Sequence, residues 1–151
     1  MLALAAIVVL TVSGGCAAPS SEVRASSAAA APRAEVHLSP TCTCCTEYVA
    51  YLRRAGWTVD VVEEPDIVAF QTERGVPEAA RGCHSTLVSG YKVEGHVPLA
   101  ALERLLRERP NVDGIGLPGM PLGSPGMSGT ATGPFAVISF NGGEISPFGE
   151  Y

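Results

Sequence analysis

Three cysteines, Cys42, Cys44 and Cys45, fall within four positions in "SPTCTCCTEYVAYLRRAGW", residues Ser39 to Trp57. Clustered thiols can form a structural disulfide, a redox pair or a soft-metal site. Cys42 and Cys45 have the C-x-x-C spacing of a redox disulfide. A dithiol couple needs only two of the three, and the third argues for soft-metal chemistry, because thiolates favour Cu(I) and Zn(II). The apolar-periodic run behind them predicts a helix. Its N-terminal N–H groups would favour the thiolate, which is both the nucleophile and the metal ligand.

Cys83-His84 adds a fourth domain thiol and an imidazole. It leads into a predicted strand and is expected to face the cluster. A Cys42–Cys45 disulfide with Cys83 as a small buried residue is the bland alternative. His96, in "VEGHVP", could cap the following helix or bind metal. His37 lies mid-strand, which suits a structural role better than a ligand's. Met120 and Met127 stand in matching "PGM" triplets of one loop, "PGMPLGSPGM". Methionine usually fills core gaps, and two on a Gly/Pro loop are hard to explain as packing. Thioether suits Cu(I) and is unusual for Zn(II), so the pair shifts the expectation from zinc toward copper.

The elements that must position these groups follow in order. "EVHLS" (Glu35 to Ser39) predicts a strand ending at Pro40. The helix after it puts Cys45, Tyr48, Val49 and Leu52 on one stripe and stops at Gly56. "WTVDVV" alternates as a half-buried strand does. "PDIVAFQTERG" predicts a short helix opened by Pro65 or Asp66 and closed by Gly75. "HSTLVSGYKVEG" predicts two strands about a Ser89-Gly90 turn. "PLAALERLLRERP" predicts a helix with Leu99, Leu102, Leu105 and Leu106 on one face and a Glu103/Arg107 pair. The order, β-α-β-α-β-β-α, is that of an α/β thioredoxin-like core with a mixed four-stranded sheet and helices on both faces. The cysteines stand where such folds keep their redox pair, between the first strand and the first helix. Residues 111–134 are too rich in Gly and Pro for a helix or central strand. "FAVISF" (Phe135 to Phe140) predicts one extra strand, and "NGG" a turn after it.

The chain has 151 residues with a formal net charge of −5, and Lys92 is its one lysine. One domain is expected, and no basic surface offers itself to nucleic acid. The opening "MLALAAIVVLTVSGGC" is apolar, too short to span a bilayer as an anchor, and ends in small residues at Cys16. Residues 1–16 therefore read as an export signal whose last residue resembles a lipoprotein cysteine, with periplasmic location as the consequence. Ser13 stands where the lipoprotein pattern has Leu, which leaves cleavage by ordinary signal peptidase open. No Lys or Arg precedes the apolar run, which leaves a start upstream of Met1 open. Residues 17–34, rich in Ala, Ser and Pro, read as a flexible tether, and 35–151 as the domain. Export places the thiols where disulfides persist.

"TCTCC", "GCHSTLVSGYKVEGHVP" and "GLPGMPLGSPGM" together resemble the small exported CopG-type proteins of bacterial copper-resistance systems, which are unrelated to the DNA-binding repressor of the same name. The resemblance covers Glu35 to Tyr151. Thr43 and Ser85 depart from the family's Gly and Thr without removing a ligand. It implies a thioredoxin-like fold and copper in a cysteine-bridged, multinuclear site that interconverts Cu(I) and Cu(II). The implied ligands are Cys42, Cys44, Cys45, Cys83 and His84, then Met120 and Met127, then His96; the C-x-x-C spacing, apart from the resemblance, makes Cys42 and Cys45 the candidate catalytic pair. Implied partners are copper ions and other exported copper-handling proteins. Two rivals stay open: an exported thiol-disulfide oxidoreductase using Cys42 and Cys45, and a zinc- or disulfide-stabilised module without turnover.

Overall fold

The computed structural model describes residues 31–151. The signal, the Cys16 reading and most of the tether lie outside them. Among the described residues no helix is long and apolar enough to cross a membrane.

Strand β1 (Arg33–Leu38) begins two residues before the expected Glu35 and leads into helix α1 (Thr43–Arg54). The stripe of Cys45, Tyr48, Val49 and Leu52 is buried, as spacings of three, four and seven require. Gly56 follows the helix in the left-handed region. Strand β2 (Thr58–Glu63) returns parallel to β1. Helix α2 (Ile67–Glu73) is capped by the Asp66 carboxylate, which accepts from the Ala69 N–H at 2.9 Å. A 3-10 turn, Glu78–Ala80, precedes the hairpin β3 (His84–Val88) and β4 (Tyr91–Gly95). Helix α3 (Leu99–Glu108) buries Ala101, Leu102 and Leu105. Its ion pair four residues apart is Arg104–Glu108 at 2.9 Å, not the expected Glu103/Arg107. Arg104 is also held by the Phe148 carbonyl and the Tyr151 hydroxyl, which fixes it toward Glu108.

Three further strands complete the chain: β5 (Gly114–Leu117), β6 (Ala136–Asn141) and β7 (Glu144–Glu150). The result is a mixed α/β fold with one seven-stranded sheet, ordered β2-β1-β3-β4-β5-β6-β7. The four strands expected before residue 111 make up four of its seven, and the single extra strand becomes three. β5 corrects the reading of residues 111–134 most directly, because it is central, paired with β4 and β6. Its glycines answer to space. A Cβ on Gly114 would sit 1.9 Å from the Lys92 carbonyl oxygen, and one on Gly116 would sit 2.8 Å from that of Ala80. Ile115 and Leu117 supply the buried apolar contacts instead.

Alternation along the strands divides the polar groups between faces. His84 and Val36 belong to the face covered by α1, where Tyr48 packs on His84. His37 belongs to the other face, stacked on Phe70 of α2 at 4.1 Å and held by Glu35 at 2.6 Å and Glu64 at 2.9 Å. Its two ring nitrogens are thus engaged away from the cysteines, as a structural role requires.

Candidate metal centre

The site forms where α1 begins, β3 begins and β4 ends. Cys42 is the N-cap residue of α1, with no side-chain cap hydrogen bond, and Cys44 and Cys45 lie in the first turn. Cys42 and Cys45 are joined by a disulfide, while Cys44 and Cys83 are free thiols. Cys83, one residue before β3, faces all of them. Its Sγ is 3.5 Å from Cys45 Sγ and 4.0 Å from Cys44 Sγ, and Cys44 Sγ is 3.5 Å from Cys42 Sγ. The ligand atoms of Cys42, Cys44, Cys45 and Cys83 all lie within 4.8 Å of one another.

Cys83 also belongs to a second group with His84 and His96, equally compact. Its Sγ lies 3.5 Å from His84 Nδ1 and 3.1 Å from His96 Nε2. Donor atoms around one tetrahedral ion with mixed sulfur and nitrogen ligands stand about 3.3–3.8 Å apart, so these separations suit a shared metal with little movement.

His96 does not cap α3; the residue at that N-cap is Pro98. Its Nδ1–H donates to the Pro125 carbonyl at 2.7 Å. A carbonyl only accepts, so the proton is fixed on Nδ1 and the Nε2 lone pair faces Cys83. A backbone carbonyl orienting a ligand histidine in this way is a common outer-shell device of metal sites. His84 is fully buried, with Nε2 lacking a hydrogen-bond partner. Burial, then the neighbouring His96, pushes its pKa down to about 3, which keeps the ring neutral. Burial also lowers His96, against a smaller opposing effect of the Pro125 carbonyl. Burial, followed by Cys44, pushes the Cys83 thiol up to about 12. In the metal-free chain Cys83 is therefore a thiol beside two neutral imidazoles, and a bound cation would take its proton's place.

Two groups whose part in the site the sequence did not reveal hold this arrangement. Tyr48 packs on His84 with the two rings tilted by 41° and their centroids 4.6 Å apart, and it donates its hydroxyl proton to the Val97 carbonyl at 2.9 Å. One face of α1 thereby fixes both histidine-bearing segments. The Pro125 carbonyl is the other, and no periodicity marks a loop carbonyl in advance. Gly126, beside it, packs so closely on α1 that a Cβ would lie 3.0 Å from the Cys44 carbonyl oxygen. The "PGM" loop therefore reaches the cysteine helix through Pro125-Gly126. Met127 follows directly and is half-buried, whereas Met120 is 43% exposed.

Beneath the site lies a buried carboxyl, Glu94. Gln71 Nε2 and Ser85 Oγ both donate to its Oε2, at 2.7 and 3.0 Å, and Oε1 has no partner. Burial outweighs these bonds and raises its pKa from 4.5 to about 7. The folded, metal-free chain thus holds a proton there that the unfolded chain has released. Stability falls as pH rises from about 4.5 to about 7 and levels off above. Glu94→Gln should remove that fall, worth about 3 kcal/mol. Urea denaturation of both proteins at pH 5 and pH 8 with chelator tests this; parallel profiles would show that Glu94 is not the source.

Comparison with known proteins places the chain. The family described as "Protein of unknown function, DUF411" matches residues 80–127, which contain Cys83, His84, His96, Met120 and Met127. No curated protein matches the chain. Two solved structures do, titled "Copper resistance protein copG- Form 2" and "Copper resistance protein copG- Form 1". Both are 36% identical to this chain and cover 80% of it and 98% of themselves, with TM-scores of 0.73 and 0.72.

Proposed function

The chain belongs to the family of the copper resistance protein CopG, and from that premise we propose that it binds copper in a cysteine-bridged, multinuclear site and interconverts Cu(I) and Cu(II). The carrying observation is the convergence of four sulfurs from two elements, with two neutral imidazoles sharing Cys83. Bridging thiolates let few ligands hold several soft ions. The imidazoles, harder donors, suit Cu(II) as well. Met127, next to the loop glycine on α1, is the better placed of the two methionines to add a thioether. Met120 would need to turn inward.

In this reading the β2-β1-β3-β4 half of the sheet is a thioredoxin-like core, with its cysteine helix following β1. The protein is exported to the periplasm, where copper arrives first, and the Cys16 segment either directs export or also carries a lipid. Its cargo is copper, exchanged with other exported copper-handling proteins. The Cys42–Cys45 disulfide favours the thiol-disulfide oxidoreductase as the second reading. That reading leaves the Cys83, His84 and His96 convergence without a purpose.

The test is loading the anaerobically reduced full chain with Cu(I) and counting ions after desalting. Several ions per chain are expected, with Cys42, Cys44 and Cys45 protected from alkylation. Cys42→Ser with Cys45→Ser should remove at least half of the copper. Unchanged stoichiometry in that variant would rule out the bridged cluster.

A further inference from the structure

The two donor groups meet at Cys83 and differ in what a disulfide does to them. Closing Cys42–Cys45 removes two of the four sulfurs from the first group. It removes nothing from the second. Cys83 stays a free thiol, His84 and His96 stay buried, and all three donor atoms remain within 4.8 Å of one another with the disulfide formed.

We infer that the disulfide form of the chain is itself a metal-binding state, holding one divalent ion on Cys83, His84 and His96. The inference rests on the copper reading only in that the same donors serve both states. Several features point to a ligand here and not merely to packing. His96 is already in the tautomer that aims Nε2 at Cys83, because Pro125 holds the opposite nitrogen at 2.7 Å. His84, fully buried, turns Nδ1 toward Cys83 Sγ at 3.5 Å. The free Cys44 thiol, 4.0 Å from Cys83, is the nearest candidate for a fourth donor.

The donor chemistry sets the class of ion. One thiolate with two imidazoles is a borderline set. It suits Zn(II) and Co(II) in tetrahedral geometry and Cu(II) in trigonal geometry, whereas a cluster of bridging thiolates suits Cu(I). The Cys42–Cys45 couple would thus decide what the protein carries: several Cu(I) ions when reduced, one divalent ion when oxidised.

Co(II) is the probe, since it reports thiolate ligation through charge-transfer absorption and does not oxidise thiols. The full chain carrying Cys16→Ala is isolated in the disulfide form, verified by two titratable thiols, and titrated with CoCl2. One Co(II) per chain is expected, with a thiolate-to-cobalt band and tetrahedral visible bands. His96→Gln should weaken binding at least tenfold, and Zn(II) should displace the cobalt. No binding, more than one equivalent, or a spectrum without the thiolate band would overturn the inference, as would an unchanged spectrum in Cys83→Ser. The wild-type titration decides alone should either variant fail to fold. Failure of the copper-cluster reading shows separately, as a reduced chain that retains no Cu(I).

Discussion

Cys83→Ser is expected to reduce copper retained by the reduced chain to one ion or none, and to weaken the remainder at least a hundredfold. The reason is its place in the site. Cys42, Cys44 and Cys45 all come from the start of one helix, whereas Cys83 alone brings a thiol from the facing segment. It is the common member of both donor groups. Removing it leaves three sulfurs on one side and two imidazoles on the other, with no atom to bridge them. Serine nearly matches cysteine in size, and its hydroxyl can donate to His96 Nε2 as the thiol does at 3.1 Å. The fold should therefore change by less than about 1 kcal/mol, which separates a ligand's loss from a collapse. The measurement is a Cu(I) titration against a competing chelator, with a denaturation curve on the metal-free variant. Cys44→Ser is the control: it belongs to one group only and should lose less copper. Equal losses in the two variants would contradict a bridging role for Cys83.

How much of this was legible in the sequence depends on whether side chains or backbone did the positioning. The α1 stripe was legible because burial of Cys45, Tyr48, Val49 and Leu52 follows helical spacing. The facing position of Cys83 followed from element order. β5 was not legible, since Gly114 and Gly116 resemble a loop until the carbonyls crowding them are seen. β7 contains Pro147, which argues against a central strand. It lies at the sheet's edge, where a missing N–H is tolerated. His96 was the least legible donor. It lies outside any periodic element, and its orientation comes from the Pro125 carbonyl, far along the chain. Tyr48 was visible as core, but its packing against the His84 ring was not. The thiols were thus readable as chemistry, whereas the imidazoles required the fold.

That same dependence on backbone gives the second large effect. Gly82 precedes Cys83, and Gly95 precedes His96. The two glycines touch: a Cβ built on Gly82 would lie 2.4 Å from both the Cα and the N of Gly95. Contacts that short do not occur between real atoms, and backbone on both sides cannot swing away as a side chain could. Gly95 is itself committed, with φ of 72° in the left-handed region and the Leu117 carbonyl oxygen 3.0 Å from its missing Cβ. Gly82→Ala must therefore push the two segments apart. It should cost about 3 kcal/mol as an overpacking change at a tight backbone crossing. It should also lengthen the Cys83–His96 separation, since each donor is one residue from the point of contact. The expected result is a lower denaturation midpoint together with weaker divalent-metal binding, although no donor has been altered. Gly90→Ala separates this from a general effect of losing glycine: it lies at the β3–β4 turn with nothing within 4 Å of its missing Cβ. Its positive φ still strains the turn, so some stability should be lost there, but metal affinity should hold. A Gly82→Ala protein that binds metal as the wild type does would mean that Cys83 and His96 are brought together by something other than this backbone crossing.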